Sequence, residues 1–308
     1  MTLFDHYAIV DWSAANQKKT GKDSIWVCHA GPQGERIENP PTRHLARLLL
    51  GEIVGAAVAR NERVLLGFDF PFGYPAGFAA RLGLTGLPWR ALWDEIAALL
   101  EDDEHNRSNR FEIGALLNRR TSDRAFPFWG CPASKAGPFL GPRHHYRHEA
   151  EGLAEKRLID RWMTGAQPCW KLAYTGSVGS QALTGIPVVR ALRDDPRWQE
   201  HARIWPFETG LALPGAARIV FAEVWPSWWD WRQTLLPGEV NDKAQVRHVA
   251  RRFAARDRAG TLGELFAGDP SLGPAERCRV EREEAWTLGV TAPRQRRGRA
   301  GAARPARG

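Results

Sequence analysis

Cysteine is scarce and scattered: the 308 residues hold four, Cys28, Cys131, Cys169 and Cys278, with no Cys-x-x-Cys pair among them. That spacing excludes a zinc ribbon and a dense disulfide framework, so reduced and buried thiols are expected. No apolar run is long enough to cross a bilayer, which excludes a membrane-spanning helix and a membrane partner. The first residues pass from Met1 through Asp5 and His6 into a short apolar stretch, without the basic and long apolar segments of a secretory signal. A cytoplasmic location is the expectation. No repeat of fixed period is present, so solenoid and propeller architectures are also set aside. What the chain does have is 43% hydrophobic residues, sufficient for a large core in one domain, or in one domain carrying a long insertion.

The net charge is +8, and its distribution matters more than its sum. Residues 291–308 contribute six arginines (Arg294, Arg296, Arg297, Arg299, Arg304, Arg307) and no acid, which leaves +2 for the remainder. A Gly/Ala/Pro/Arg segment cannot build a core, so 291–308 is expected to be a disordered tail following a folded body over 1–290. Nucleic acid is the partner such basicity invites, although a solvated end accounts for a charge run equally well.

Apolar periodicity gives an α/β reading. Tyr7-Ala8-Ile9-Val10 is a β-type run ending at Asp11, and a second strand spans Ser24 to Ala30. After the turn at Gly31, Pro32 and Gly34, Glu35 to Asn39 can return as a third. Leu45, Leu48, Leu49, Ile53, Ala56 and Ala57 recur at helical spacing, and Val64-Leu65-Leu66-Gly67-Phe68 is a buried-strand run ending at Asp69. From about 75 to 215 the pattern turns irregular and reads as an insertion, with helices near Pro88–Glu101, Asn109–Asn118 and Glu149–Met163. A short strand, Arg203–Phe207, precedes Arg218-Ile219-Val220-Phe221-Ala222, which ends at Glu223. A last helix begins near Asp242, with Val246, Val249, Ala250 and Phe253 on one face.

Three strand runs therefore end in a carboxylate, Asp11, Asp69 and Glu223, and a fourth acid, Asp242, opens a helix. In open α/β sheets, sites gather beyond the carboxyl ends of parallel strands, where acids remote in sequence can converge. Crowded carboxylates repel unless a divalent ion neutralises them, and oxygen-only ligands select Mg²⁺ or Mn²⁺ over zinc. Such a cluster suits phosphodiester hydrolysis or phosphoryl transfer. Each acid also has a plain structural account. Asp242 with Gln245 three residues on has the spacing of a helix-capping box.

The phrases Val10-Asp11-Trp12-Ser13, Gly67-Phe68-Asp69-Phe70-Pro71-Phe72-Gly73, Ala222-Glu223-Val224-Trp225-Pro226-Ser227 and Asp242-Lys243-Ala244-Gln245-Val246 resemble those of a group of RNase H-like proteins, domain of unknown function 429 and its relatives. The stretch Glu281–Val290, with Glu284, Trp286 and Gly289, is similar to that family's closing segment. The resemblance runs from about residue 7 to 290. It implies an RNase H-like mixed sheet of five strands in the order 3-2-1-4-5, with helices on both faces and a long helical and loop insertion. By position it also implies that Asp11, Asp69, Glu223 and Asp242 are the catalytic and metal-ligating acids of a nuclease-like hydrolase.

Ser13, Trp225 and Lys243, each beside one of those acids, are the candidate substrate contacts. Trp225, Trp228, Trp229 and Trp231 could stack bases, though covering the sheet end explains them as well. His144, His145 and His148 with Cys131 match no zinc spacing and read as a surface cluster. The glycines in Tyr174-Thr175-Gly176-Ser177-Val178-Gly179-Ser180 could cradle a phosphate, but no P-loop lysine follows and a loop turn is the expectation. Two other functional classes share these features: an ATP-dependent phosphotransferase of the sugar-kinase and actin superfamily, and a non-catalytic binding protein of the same fold. The first fits less well, because the turn after Asp11 lacks the glycine of a phosphate loop.

Overall fold

Strands buried on both faces are apolar at every position, and the central strands here have that composition. A computed structural model describes residues 2–291. β1 (His6–Asp11) pairs antiparallel with β2 (Trp26–Gly31), which pairs antiparallel with β3 (Gly34–Glu38). Helix α1 (Arg43–Ala59) follows, its Thr42 cap accepting a hydrogen bond from the Leu45 N–H, and leads to β4 (Val64–Phe68), parallel to β1. Then come α2 (Phe78–Arg81), α3 (Pro88–Leu99), α4 (Arg110–Ser122), α5 (Leu158–Trp162) and α6 (Val178–Arg193). The chain closes with β5 (Ala202–Ile204), β6 (Ile219–Glu223), α7 (Asn241–Arg258) and α8 (Pro274–Arg279).

The sheet is mixed and has six strands in the order β3-β2-β1-β4-β6-β5. The family resemblance implies five, whereas the apolar runs include a further short strand at Arg203–Phe207 that overlaps the sixth. The sixth is β5, a three-residue edge strand pairing parallel with β6, and it falls within the 75–215 segment read as insertion. That segment is thus not wholly peripheral to the sheet.

Alternation along each strand divides the core in two. Ala8 and Val10 of β1, Leu66 and Phe68 of β4 and Phe221 of β6 share a cluster with α1 and α6, and with Tyr74, Phe78, Trp93, Phe128 and Trp170 of the insertion. Tyr7, Ile9, Leu65, Val220 and Ala222 face the other way, onto Val246, Val249, Ala250 and Phe253 of α7. Each fully buried Val or Phe on α7 stabilises that packing by roughly 1.5–3 kcal/mol. The four cysteines are free, with Cys278 exposed and the other three buried.

Two expectations within the insertion change. The helix expected over Glu149–Met163 is broken into a 3-10 turn, His148–Glu151, and the short α5, because Gly152 takes the left-handed conformation at φ 72° and ends the first piece. The turn expected near Tyr174–Ser180 is present at Thr175–Gly176, but Val178–Ser180 beyond it open α6. Its glycines disguise a helix: Gly179 lies so close to the backbone that an added Cβ would stand 2.3 Å from the Cys169 carbonyl oxygen. Gly179→Ala is accordingly expected to destabilise the protein by about 1–3 kcal/mol, the usual cost of overpacking, as a lowered urea midpoint. A midpoint equal to the parent's would mean the two segments separate freely. The Arg-rich tail reading falls on residues outside those described.

Candidate active site: an aspartate pair at the strand ends

Inter-strand register decides which strand-end acids meet. Val10 is level with Phe68 in the parallel β1–β4 ladder, so Asp11 and Asp69, one residue further on, are level too and share the α7 face. Phe68 is also level with Glu223 in the β4–β6 ladder, which puts Glu223 one residue short of that level and on the opposite face. A one-residue offset reverses a strand's side chains. Asp11 and Asp69 therefore come together and Glu223 turns away.

The two aspartates are partly buried and their carboxyl groups hydrogen-bond to each other. Burial, followed by the Asp69 and Asp242 charges, pushes Asp11 well above the ordinary carboxylate range. Burial also lifts Asp69 to about 7, against the opposing hydrogen bond from the Trp12 N–H to Oδ1 at 2.8 Å. Both shifts favour the protonated forms of the pair. The peptides on either side of the one that presents the Trp12 N–H are held: the Asp69 N–H donates to the Val10 carbonyl at 3.2 Å, and Gln181 Nε2 donates to the Trp12 carbonyl at 2.5 Å.

Asp242 joins the neighbourhood from α7, but not through a capping box. The helix is capped by Val240 without a side-chain bond, and Asp242 Oδ2 accepts from the Asp23 N–H at 2.8 Å. Desolvation raises Asp242 also.

Glu223 is corrected from metal ligand to structural anchor. Its two oxygens accept from Arg157 Nη1 and Nη2 at 2.7 and 2.8 Å, from the Phe72 N–H at 2.9 Å and from the Thr287 hydroxyl at 2.9 Å. Arg157 also bonds both oxygens of Asp160 and the Glu284 carbonyl, forming a buried ionic network under the site. Nothing in the irregular sequence around Arg157 marks it: Asp160 lies three residues on, but Glu223 and Glu284 come from distant elements.

The other candidates divide. Ser13 lines the main cleft, although its hydroxyl already donates to the Asp23 carbonyl at 3.3 Å. Trp225 lines a smaller pocket beside Asp69 and Glu223, with its ring stacked 6.3 Å from Trp228. Lys243 is corrected: it lies 3.7 Å from Glu239, one helical turn back, and lines neither cavity. His148 is buried, not on the surface, between the rings of His144 and Trp170.

The cleft has a volume of about 740 Å³ and is walled by Asp11, Ser13, Lys19, Arg110, Tyr174 and Asp242 among others. The smaller pocket, about 230 Å³, contains Asp69, Arg157 and Trp225. Gly176 and Gln181 line both, so the aspartate pair stands where the two adjoin. Among the described residues no group of three or more His, Cys, Asp or Glu side chains is arranged to hold a metal ion. No protein-family model, curated protein or solved structure matches the chain.

Proposed function

We propose that the sheet is an RNase H-like core and that the protein is a hydrolase of phosphodiesters, those of nucleic acid, working at Asp11 and Asp69 with divalent-metal assistance. The single observation that carries this is the level pairing of those two aspartates at the carboxyl ends of adjacent parallel strands, Asp11 on the main cleft and Asp69 on the pocket that adjoins it. The strand order supports the fold reading: apart from the short edge strand β5, it runs as three antiparallel strands followed by two parallel ones. Donor chemistry fits Mg²⁺ or Mn²⁺ in kind, being oxygen-only, while only two carboxyls are assembled and Asp242 is drawn aside to Asp23. Asp11 and Asp69 are the residues that would hold the ion. Bound there, it would neutralise the pair and assist attack of water on phosphorus.

The chain's own contributions follow from the geometry. Asp69, poised near 7, can accept a proton from water, and the Trp12 N–H fixes which oxygen faces away. Asp11 retains a proton that a cation must displace. The shared hydrogen bond also favours a second reading, in which the pair acts as a metal-free acid and base.

Calorimetric titration with Mg²⁺ and Mn²⁺ at pH 7 in buffers of different ionisation enthalpy separates these. Metal uptake with proton release is expected in the parent and absent in Asp11→Asn, together with metal-dependent cleavage of single-stranded DNA or RNA. Cleavage that persists in chelator selects the acid–base reading. No heat and no cleavage in either condition removes hydrolysis altogether.

A further inference from the structure

Three cationic residues line the main cleft, and two of them are neutralised: Lys19 lies 3.8 Å from Asp23, and Lys135 pairs with Glu112. Arg110 is the third. It is only 9% exposed, yet among the described residues no carboxylate forms an ion pair with it. Neutral groups hold it in place. Nε donates to Ser180 Oγ at 3.1 Å, and Nη1 donates to Asn16 Oδ1 at 2.7 Å and Ser108 Oγ at 3.0 Å. The guanidinium lies over the Phe111 ring, 4.5 Å from its centroid. Among the described residues Nη2 has no hydrogen-bond partner. Burial, with Arg43 nearby, lowers Arg110 to about 10, so it is still cationic at neutral pH.

Removing a guanidinium from water without a counter-charge is costly, and fixing it with neutral acceptors leaves its charge available. All three holding contacts fix the side chain's direction while one nitrogen stays free. Beside it the N-terminal end of α6 lines the same cleft through Gly176, Ser177 and Ser180. The N–H groups of Val178, Gly179 and Ser180 are taken by the carbonyls of Gly176, Lys171 and Ser177, so the helix adds its positive end and not a nest of donors. The Ser177 hydroxyl makes no capping bond.

We propose that Arg110, backed by the start of α6, is an anion subsite that takes a phosphate group of the substrate in the cleft shared with Asp11. The proposal rests on the phosphodiester reading for the nature of the anion, while the subsite itself needs neither metal nor turnover. A buried, pre-oriented guanidinium presents donors in a planar fork matched to phosphate oxygens. With both lysines of the cavity already paired to acids and Asp242 on its wall, the subsite would fix a phosphate through Arg110 rather than through general basicity.

Inorganic phosphate and pyrophosphate are the probes, titrated calorimetrically in EDTA at constant ionic strength. The parent is expected to bind both, and Arg110→Gln, which keeps hydrogen-bonding groups without charge, to bind at least about tenfold more weakly. Should Arg110→Gln not fold, Ser177→Asp serves: aspartate is a favourable cap, and its carboxylate on the same wall is expected to weaken phosphate binding while α6 is retained. A parent that binds neither probe, or a folded variant of either kind that binds as tightly as the parent, overturns the subsite. Intact phosphate binding without any hydrolysis would sink the hydrolase reading and leave the subsite standing.

Discussion

Arg157→Met is expected to destabilise the protein by about 3–5 kcal/mol at pH 7, because it strips the cation from a buried network and leaves its carboxylates behind. Arg157, Asp160, Glu223 and Glu284 are each at most 3–4% exposed, and Arg157 holds Asp160 and Glu223 together. Burial raises Asp160 even with the guanidinium beside it, so an unpaired Asp160 should take up a proton more readily still. Urea unfolding gives the number, as a lowered midpoint at unchanged slope. Adding Glu223→Gln to Arg157→Met should recover part of the loss, since one uncompensated charge disappears. With glutamine the carbonyl oxygen can keep the bond from the Phe72 N–H, while the amide nitrogen donates to the Thr287 hydroxyl oxygen in place of the bond that hydroxyl gave. A loss below about 1 kcal/mol for Arg157→Met would mean that water reaches the network and screens it.

Asp69→Asn should stabilise the folded protein at alkaline pH and flatten its pH dependence. Asp69 rises from 3.8 to about 7 on folding, so between roughly pH 4 and pH 7 the folded state binds more protons than the unfolded state. Stability from this group is therefore greatest at the acid end and is lost as pH rises through that window. Asp11, raised in the same direction and coupled to it, extends the loss upward. Asparagine keeps an oxygen for the Trp12 N–H and removes the charge. At pH 8 a gain on the order of 2–4 kcal/mol over the parent is expected, narrowing to little near pH 4. Thermal or urea unfolding across pH 4–8 measures it, and parallel curves for the two proteins would contradict the raised carboxyl. Such a trade is common where a site holds groups that repel: the arrangement that serves chemistry is not the one that serves stability.

The main elements were legible where apolar residues kept a regular period. Ile9 and Val10, Val64 to Phe68 and Ile219 to Ala222 announced strands, and the Val246, Val249, Ala250, Phe253 spacing announced α7. Legibility failed at α6, where Gly179, Gly185 and Pro187 carry low helix propensity. An added Cβ on Gly185 would lie 2.4 Å from the Phe70 ring, so close packing, not chain flexibility, accounts for that glycine. Arg110 and Arg157 gave no signal at all. Their importance lies in what surrounds them, neutral acceptors in one case and two acids in the other, and the deciding partners, Asn16 and Ser180 for Arg110 and Glu223 for Arg157, come from elsewhere in the chain.

By itself the sequence determined that an α/β sheet would form and that acids would stand at three strand ends, since apolar alternation and the first polar residue after it are local properties. Only the tertiary structure decided which acids meet. The pairing register between β4 and β6 is set by packing across the whole sheet, and its offset of one residue sends Glu223 to Arg157 while leaving Asp11 and Asp69 beside each other where the cleft and the smaller pocket adjoin.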